Sequence, residues 1–479
     1  MRRVVWVVIC AFALAGTAVA SARTGRAQRL YSTPLTRPLA TGLMDSLLFP
    51  GAEQTDAFAV ARQAGATYVR LAVNWSAIAP ASPEPGFDAS DPDSPDYDWT
   101  ALDTEVTNAE AAGLTPILDL GEGPKWAYSV KPKGTSGGTP RASDLGRFAH
   151  AIAAHYDGTH GAPAVRVFQV WNEPNLSLDL SPTNPAAYRG MVNAVAASVH
   201  RVSRSDLVVA GALDPFANTA RRFHTEAPLA YMRALLCVSK GAHPHATCKA
   251  KIHFDVWSHH PYTFGGPFGK ARLPDDVSLG DLPKMRTLLD AGLRLHRVVS
   301  THPVQFWVTE FAWDTNPPRR GALKIALQAR ATAEALHQMW LSGITEVTWY
   351  LLQDKPGNTS DKSGLYFAGR PIAKARAKPT LTAFRFPFVA YLSGGVVRIW
   401  GRDATSRRTV VAIERRHGIH GSWRVVARVV SNVRGIFAAN LRLPATTKDW
   451  LRAVAPHSTP SLAFSLKQPT YPHVGPWGS

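Results

Sequence analysis

Cysteine is scarce: the 479 residues hold three, and none stands in a Cys-x-x-Cys pair. That absence excludes the common zinc-ribbon and thioredoxin-type redox motifs. Cys10 falls in the N-terminal apolar stretch, which leaves Cys237 and Cys248, an even pair across a short segment containing Gly241 and Pro244. In an oxidising compartment such a pair is expected to close a local disulfide. Long apolar runs are also rare. Beyond Ala20 nothing approaches the ~20 apolar residues of a membrane-spanning helix, so no stable membrane insertion is expected of the rest of the chain. Dense blocks of basic residues are missing too, although the formal net charge is +18. The positive charges are spread along the chain and no nucleic-acid module accompanies them, which argues against a nucleic-acid partner. A solvated basic surface is the reading favoured, with an anionic polysaccharide or cell-envelope partner left open. Finally, no Gly-rich phosphate turn follows the first strand pattern, which excludes a doubly wound nucleotide-binding fold. Oligomeric state is not legible.

What is present starts with Met1-Arg2-Arg3 and the apolar run Val4 to Ala20, followed by small residues at Ala18-Val19-Ala20 and Ala20-Ser21-Ala22. This reads as a secretory signal peptide over residues 1–22, and so as an extracellular or cell-envelope protein. A polar, proline-containing linker (23–38) comes next.

From residue 39 to 386, short apolar runs alternate with helical patterns. The runs are Ala40–Met44, Tyr68–Val73, Pro116–Leu120, Val165–Trp171, Leu207–Gly211, Phe254–Ser258, Val304–Thr309 and Glu346–Leu351. Helical spacing fills Glu53–Ala64, Trp99–Ala112, Ala142–Tyr156, Ala186–Val202, Leu282–Val298 and Ala322–Leu341, with Gly113 and Gly343 placed as C-caps. Strands alternating with helices predict an α/β fold, a (β/α)₈ TIM barrel with long loops. Over 387–479 the period changes to two, with turn residues between short runs, which predicts a small C-terminal antiparallel, β-sandwich-like domain.

In such a barrel, chemistry sits where strands end at the C-terminal face. The fourth run ends in Trp171-Asn172-Glu173-Pro174 and the seventh in Val308-Thr309-Glu310-Phe311. Each therefore delivers one carboxyl group among apolar and aromatic neighbours. Burial of one keeps it protonated as a general acid while the other acts ionised, the division of labour that glycoside cleavage needs.

Trp171-Asn172-Glu173-Pro174 resembles the signature of the clan of retaining (β/α)₈ glycoside hydrolases that includes cellulases, β-mannanases and β-xylosidases. The resemblance covers roughly Ala40 to Phe386. It implies that Glu173 is the acid/base, Glu310 the nucleophile and Asn172 the partner of a sugar 2-hydroxyl. It further implies that Arg70 holds the nucleophile ionised, that His260 and Tyr262 orient the site, and that Trp349, or else Tyr350, forms an aromatic floor for the sugar. A carbohydrate substrate follows, with no cofactor and no metal. The segment Leu118 to Ala127 lacks the histidine common in the cellulase branch, and Pro124-Lys125-Trp126-Ala127 looks closer to the β-xylosidase and iduronidase branch. Two other readings stay in view. One is a non-catalytic carbohydrate-binding barrel. The other is a metal-dependent hydrolase using His253 and Asp255, which share a strand face.

Overall fold

Eight parallel strands close into one ring. The computed structural model describes residues 36–476 except 135, 220–222, 358–360, 404 and 406. The segment 1–22 read as an export signal, Cys10 and most of the 23–38 linker lie outside the described residues. The barrel strands are β1 (Ala40–Met44), β2 (Tyr68–Asn74), β3 (Thr115–Gly121), β4 (Val167–Val170), β5 (Leu207–Leu213), β6 (Val256–His259), β7 (Gln305–Phe311) and β8 (Glu346–Tyr350). They are hydrogen-bonded in the order β1-β8-β7-β6-β5-β4-β3-β2 and back to β1. A helix follows each: α1 (Gln54–Gln63), α2 (Thr100–Ala111), α3 (Ala142–His155), α4 (Pro185–Val202), α5 (Pro228–Leu236), α6 (Leu282–Arg294), α7 (Ile325–Leu341) and α8 (Pro379–Arg385). No helix among the described residues is long and apolar enough to cross a membrane.

Local chemistry sets the helix ends. The Asn184 side chain accepts from the amides of Ala186 and Ala187, and Pro185 opens α4 with φ already fixed. Gly113 and Gly343 adopt φ of 74° and 98° after α2 and α7, where a Cβ would be strained. The helix predicted to reach Val298 stops at Arg294, because Val298–Val299 pairs with Ile252–His253 in a separate ribbon.

Side-chain alternation divides the barrel interior into layers. Ile117, Val167, Val209, Val256 and Trp307 form a buried apolar plug, with Tyr68 and Leu207 packed against it. Two residues further along the same strands come Arg70, Asp119, Gln169, Ser258 and Thr309, all buried and polar. The plug thus supports a polar floor below the mouth. The main apolar core lies outside the strands, beneath the helices.

Beyond α8 come β9 (Phe388–Ser393), β10 (Val396–Arg402), β11 (Val410–His417), β12 (Arg424–Val430), β13 (Ile436–Arg442), β14 (Asp449–Val454) and β15 (Phe464–Ser465). They form two antiparallel sheets, β9-β10-β13 and β12-β11-β14-β15. Two arginines dock them on the barrel. Buried Arg402 donates to the Leu39 carbonyl (2.7 Å), just before β1. Arg330 of α7 donates to the Ser465 carbonyl (2.8 Å) and lies 3.7 Å over the Phe464 ring.

The chain then returns to the barrel mouth. Tyr471 donates to Glu334 of α7 (2.6 Å), and the His473 ring stacks on Phe264. Gly265 and Asp314, in the loops after β6 and β7, donate amides to the carbonyls of Val474 (3.3 Å) and Pro476 (2.7 Å).

Candidate active site

Strand β4 ends abruptly. Trp171 and Glu173 have φ of 66° and 36°, values uncommon for residues with a Cβ, and such strain gathers at functional sites. The surroundings hold the turn in place: the Trp171 indole donates to the Asp179 carbonyl (2.9 Å) and the Glu173 amide to that of Ala212 (3.1 Å). The result aims the Glu173 carboxyl group into the mouth. On β7 the means is different. The register against β8 shifts between Val308 and Phe311, and such a bulge re-aims a side chain. Thr309 continues the inward face above Trp307, on the mouth side, and the next residue, Glu310, also reaches the mouth.

Both Glu310 oxygens receive a donor. Arg70 Nη1 donates to Oε2 (2.9 Å), and the Tyr262 hydroxyl donates to Oε1 (2.8 Å). Through Nη2 the same guanidinium reaches Asp119 (2.7 Å) and the Asn172 amide oxygen (2.7 Å). Asp119 in turn accepts from Gln169 (2.8 Å). One cation thus ties β2, β3, the end of β4 and β7 together. Burial and the neighbouring Glu310 charge push the Tyr262 phenol well above its ordinary pKa, so it stays a proton donor.

Glu173 is placed differently. Its Oε1 hydrogen-bonds His260 Nδ1 at 2.8 Å, and His260 Nε2 lies 3.2 Å from the Thr309 hydroxyl. Burial, then the charges of Arg70 and His259, hold the His260 imidazole well below its ordinary pKa. It is therefore neutral, and the contact is a hydrogen bond rather than an ion pair. Glu173 itself is pushed well above the usual carboxyl range, first by burial, then by the negative charges of Asp214, Glu310 and Asp179, with Arg70 opposing. Asp179 and Asp214 rise to about 7, mainly through burial. The two glutamates occupy unlike settings: one faces an arginine and a phenol, the other a neutral imidazole and further carboxyl groups.

Glu173, His260 and Glu310 each present one atom within 4.8 Å of the other two. Among the described residues this is the one cluster of three potential metal ligands. The alternative metal face on strand six does not form. Asp255 precedes β6, at the opposite end from the mouth, and is engaged by His200 (2.9 Å) and the Val208 amide (3.0 Å), while His253 belongs to the outer ribbon.

Trp349 is corrected by strand parity. It is fully buried, packs against Phe384 of α8 and donates its indole N–H to the Ser363 carbonyl (2.9 Å). A ring facing the helical layer offers a sugar no surface. Tyr350, the neighbour on the opposite face, is only partly buried and sits close enough to Glu310 and Tyr262 to feel their charge. Asp119, Asp179 and Asp214 are site residues that the sequence reading missed. Cys237 and Cys248 form a disulfide after α5, with Cα atoms 5.3 Å apart.

No protein-family model matches this sequence, and no curated protein is similar to it. Among solved structures, the chain resembles a family 39 glycoside hydrolase from the gut symbiont Bacteroides cellulosilyticus WH2, at 15% identity over 84% of this chain and 81% of that one, with a TM-score of 0.51. A monomeric β-xylosidase from Caulobacter crescentus CB15 aligns at 16% identity over 88% and 96% of the two chains, also with a TM-score of 0.51. A family 39 enzyme from Xanthomonas axonopodis pv. citri aligns at 16% identity over 91% and 98%, with a TM-score of 0.50. The barrel with its C-terminal sheets has the fold of these glycoside hydrolases.

Proposed function

We propose that this chain is a retaining O-glycosyl hydrolase acting on a β-linked oligo- or polysaccharide. The observation that carries the reading is the pairing at the mouth: Glu173 and Glu310 present oxygens within 4.8 Å of each other, in unlike electrostatic settings. Retaining enzymes hold their carboxyl groups about 5–5.5 Å apart, whereas inverting enzymes need about 6.5–9.5 Å to admit water. The short separation favours attack by a carboxylate.

In this mechanism Glu310 forms a bond to the anomeric carbon as the glycosidic C–O bond breaks, and Glu173 gives its proton to the departing oxygen. Glu173, now ionised, takes a proton from water. The water oxygen displaces Glu310, the sugar leaves, and both groups return to their starting states. Arg70 and Tyr262 hold the nucleophile in position, and Tyr350 is a partly buried aromatic side chain at the mouth that a sugar ring could meet. The fold likeness to β-xylosidases supports a β-glycoside substrate. The basic, then apolar, then small-residue N-terminal segment supports export, so we place the protein outside the cytoplasm. N-terminal sequencing of the exported product checks that: cleavage after Ala20 or Ala22 is expected, and an uncleaved intracellular chain would refute it.

The decisive experiment follows a panel of nitrophenyl β-glycosides by proton NMR, with Glu310→Gln alongside. Release of the β-anomer first, abolished in the variant, is expected. First release of the α-anomer would refute retention, and full activity in the variant would refute the two-glutamate mechanism. Activity lost with EDTA and restored by a divalent ion would point to the metal-binding capacity of the cluster. Sugar binding without turnover across the panel would favour a carbohydrate-binding protein.

A further inference from the structure

The C-terminal β-domain carries an uncompensated excess of positive charge. From Pro387 to Ser479 there are 13 Lys or Arg against 3 Asp or Glu. Two of those acids, Asp403 and Asp449, are buried, and the third, Glu414, is paired with Arg452 at 2.7 Å. On β11 the residues Val411 and Ile413 point inward and are fully buried, so Glu414 and Arg416 point outward. The register carries that outer face across the sheet, setting Glu414 opposite Arg452, Arg416 opposite Trp450, and Ala412 opposite Arg428.

On this face Arg416 lies 4.7 Å over the Trp423 ring and 5.6 Å over the Trp450 ring, and Arg452 lies 4.4 Å over Trp423. The indoles hold the guanidiniums in place by cation–π attraction. No acidic side chain among the described residues pairs with Arg416 or Arg428, and the buried Nε of Arg416 finds no acceptor. The face is open to solvent: Val425 and Val430 beside it are 44% and 50% exposed.

From this arrangement we infer that the outer face of the β12-β11-β14 sheet binds a polyanionic polysaccharide. A fixed guanidinium offers paired N–H donors to a sugar carboxylate, sulfate or phosphate. A neutral glycan would leave these cations unmatched. A lipid surface would require large apolar side chains able to insert, and the two indoles here lie under arginines, leaving short valines exposed. The face is separate from the barrel mouth, so the inference does not depend on the catalytic reading.

The test is affinity electrophoresis of the full chain carrying Glu310→Gln, which reads binding without turnover. The gels contain polygalacturonate or, for comparison, an uncharged β-glucan. Retardation by polygalacturonate alone is expected, weakening as salt rises. Arg416→Gln and Arg428→Gln should each weaken it by about fivefold, while Arg201→Gln on the exposed end of α4 should leave it unchanged. Equal loss in all three would reduce the effect to net charge and overturn the proposal. So would absence of retardation, equal retardation by the β-glucan, or sedimentation with phosphatidylglycerol vesicles without polygalacturonate binding. Unchanged thermal unfolding of the variants keeps a folding defect from mimicking the expected loss.

Discussion

Arg70 Nη1 lies 2.9 Å from Oε2 of Glu310, although 240 residues separate them in the chain. The same buried side chain also contacts Asp119 and Asn172, so it acts on both the charge and the placement of the site. Replacing a planar fork with a point charge cannot reproduce three directed contacts. Arg70→Lys should lower kcat by about 10²-fold or more with a smaller effect on KM. It should also cost about 3–5 kcal/mol of stability in the limit where Asp119 is left without its partner. Steady-state kinetics and denaturant unfolding measure the two effects separately, and full kcat in a stable variant would contradict the assigned role.

Tyr262→Phe isolates one bond. The variant keeps the ring and removes only the donor to Glu310. Hydrogen bonds to charged groups contribute about 1.5–3 kcal/mol, so a fall in kcat/KM of about 10- to 100-fold is expected on a nitrophenyl glycoside. An unchanged rate would show that Glu310 does not need the phenol.

The pH profile tests the electrostatics of Glu173. A general acid must begin protonated, and this group is pushed above its ordinary pKa by burial and then by Asp214, Glu310 and Asp179. The rate should therefore fall, on its alkaline limb, as pH rises through that raised pKa. Asp214→Asn removes the largest of the charge contributions, so the Glu173 pKa should drop and the alkaline limb should move to lower pH. Movement to higher pH would reverse the sign of the argument.

The disulfide calls for a stability measurement. Cys237 and Cys248 are 11 residues apart, and closing a loop of that size contributes about 2–3 kcal/mol. The double serine variant should unfold at lower denaturant concentration with kcat unchanged, because the loop after α5 is remote from Glu173 and Glu310. A large loss of activity in folded variant protein would tie this loop to the site.

The barrel was legible because its strands and helices carry different hydrophobic periods and meet at Gly and Asn caps, as at Gly113, Asn184 and Gly343. Helix α5 was missed: Pro228–Leu236 is short and apolar, without the long 3.6-residue stripe of α4 or α7. Strand β9 carries no separate signal inside the expected β-domain, because Phe388–Ser393 follows Pro387 directly and alternates little. Glu173 and Glu310 could be found because strand ends are sequence-local features. Asp214, in the loop after β5, meets Glu173 only in three dimensions, and Asp179, in the loop that Glu173 opens, carries no pattern that sets it apart from an ordinary loop acid. Asp119 did leave a signal, as an acid in the otherwise apolar run Pro116-Ile117-Leu118-Asp119-Leu120. The choice between Trp349 and Tyr350 turned on a single residue of parity, which a strand end does not reveal until its partner strand is known.

The clasp at the barrel mouth has a consequence in time. Val474 and Pro476 accept amides from Gly265 and Asp314, in the loops that follow Tyr262 and Glu310. During synthesis every strand of the ring leaves the ribosome before this tail does. The loops beside the nucleophile are therefore fastened by the last of the described residues to emerge, and a chain stalled short of them carries both glutamates without the latch.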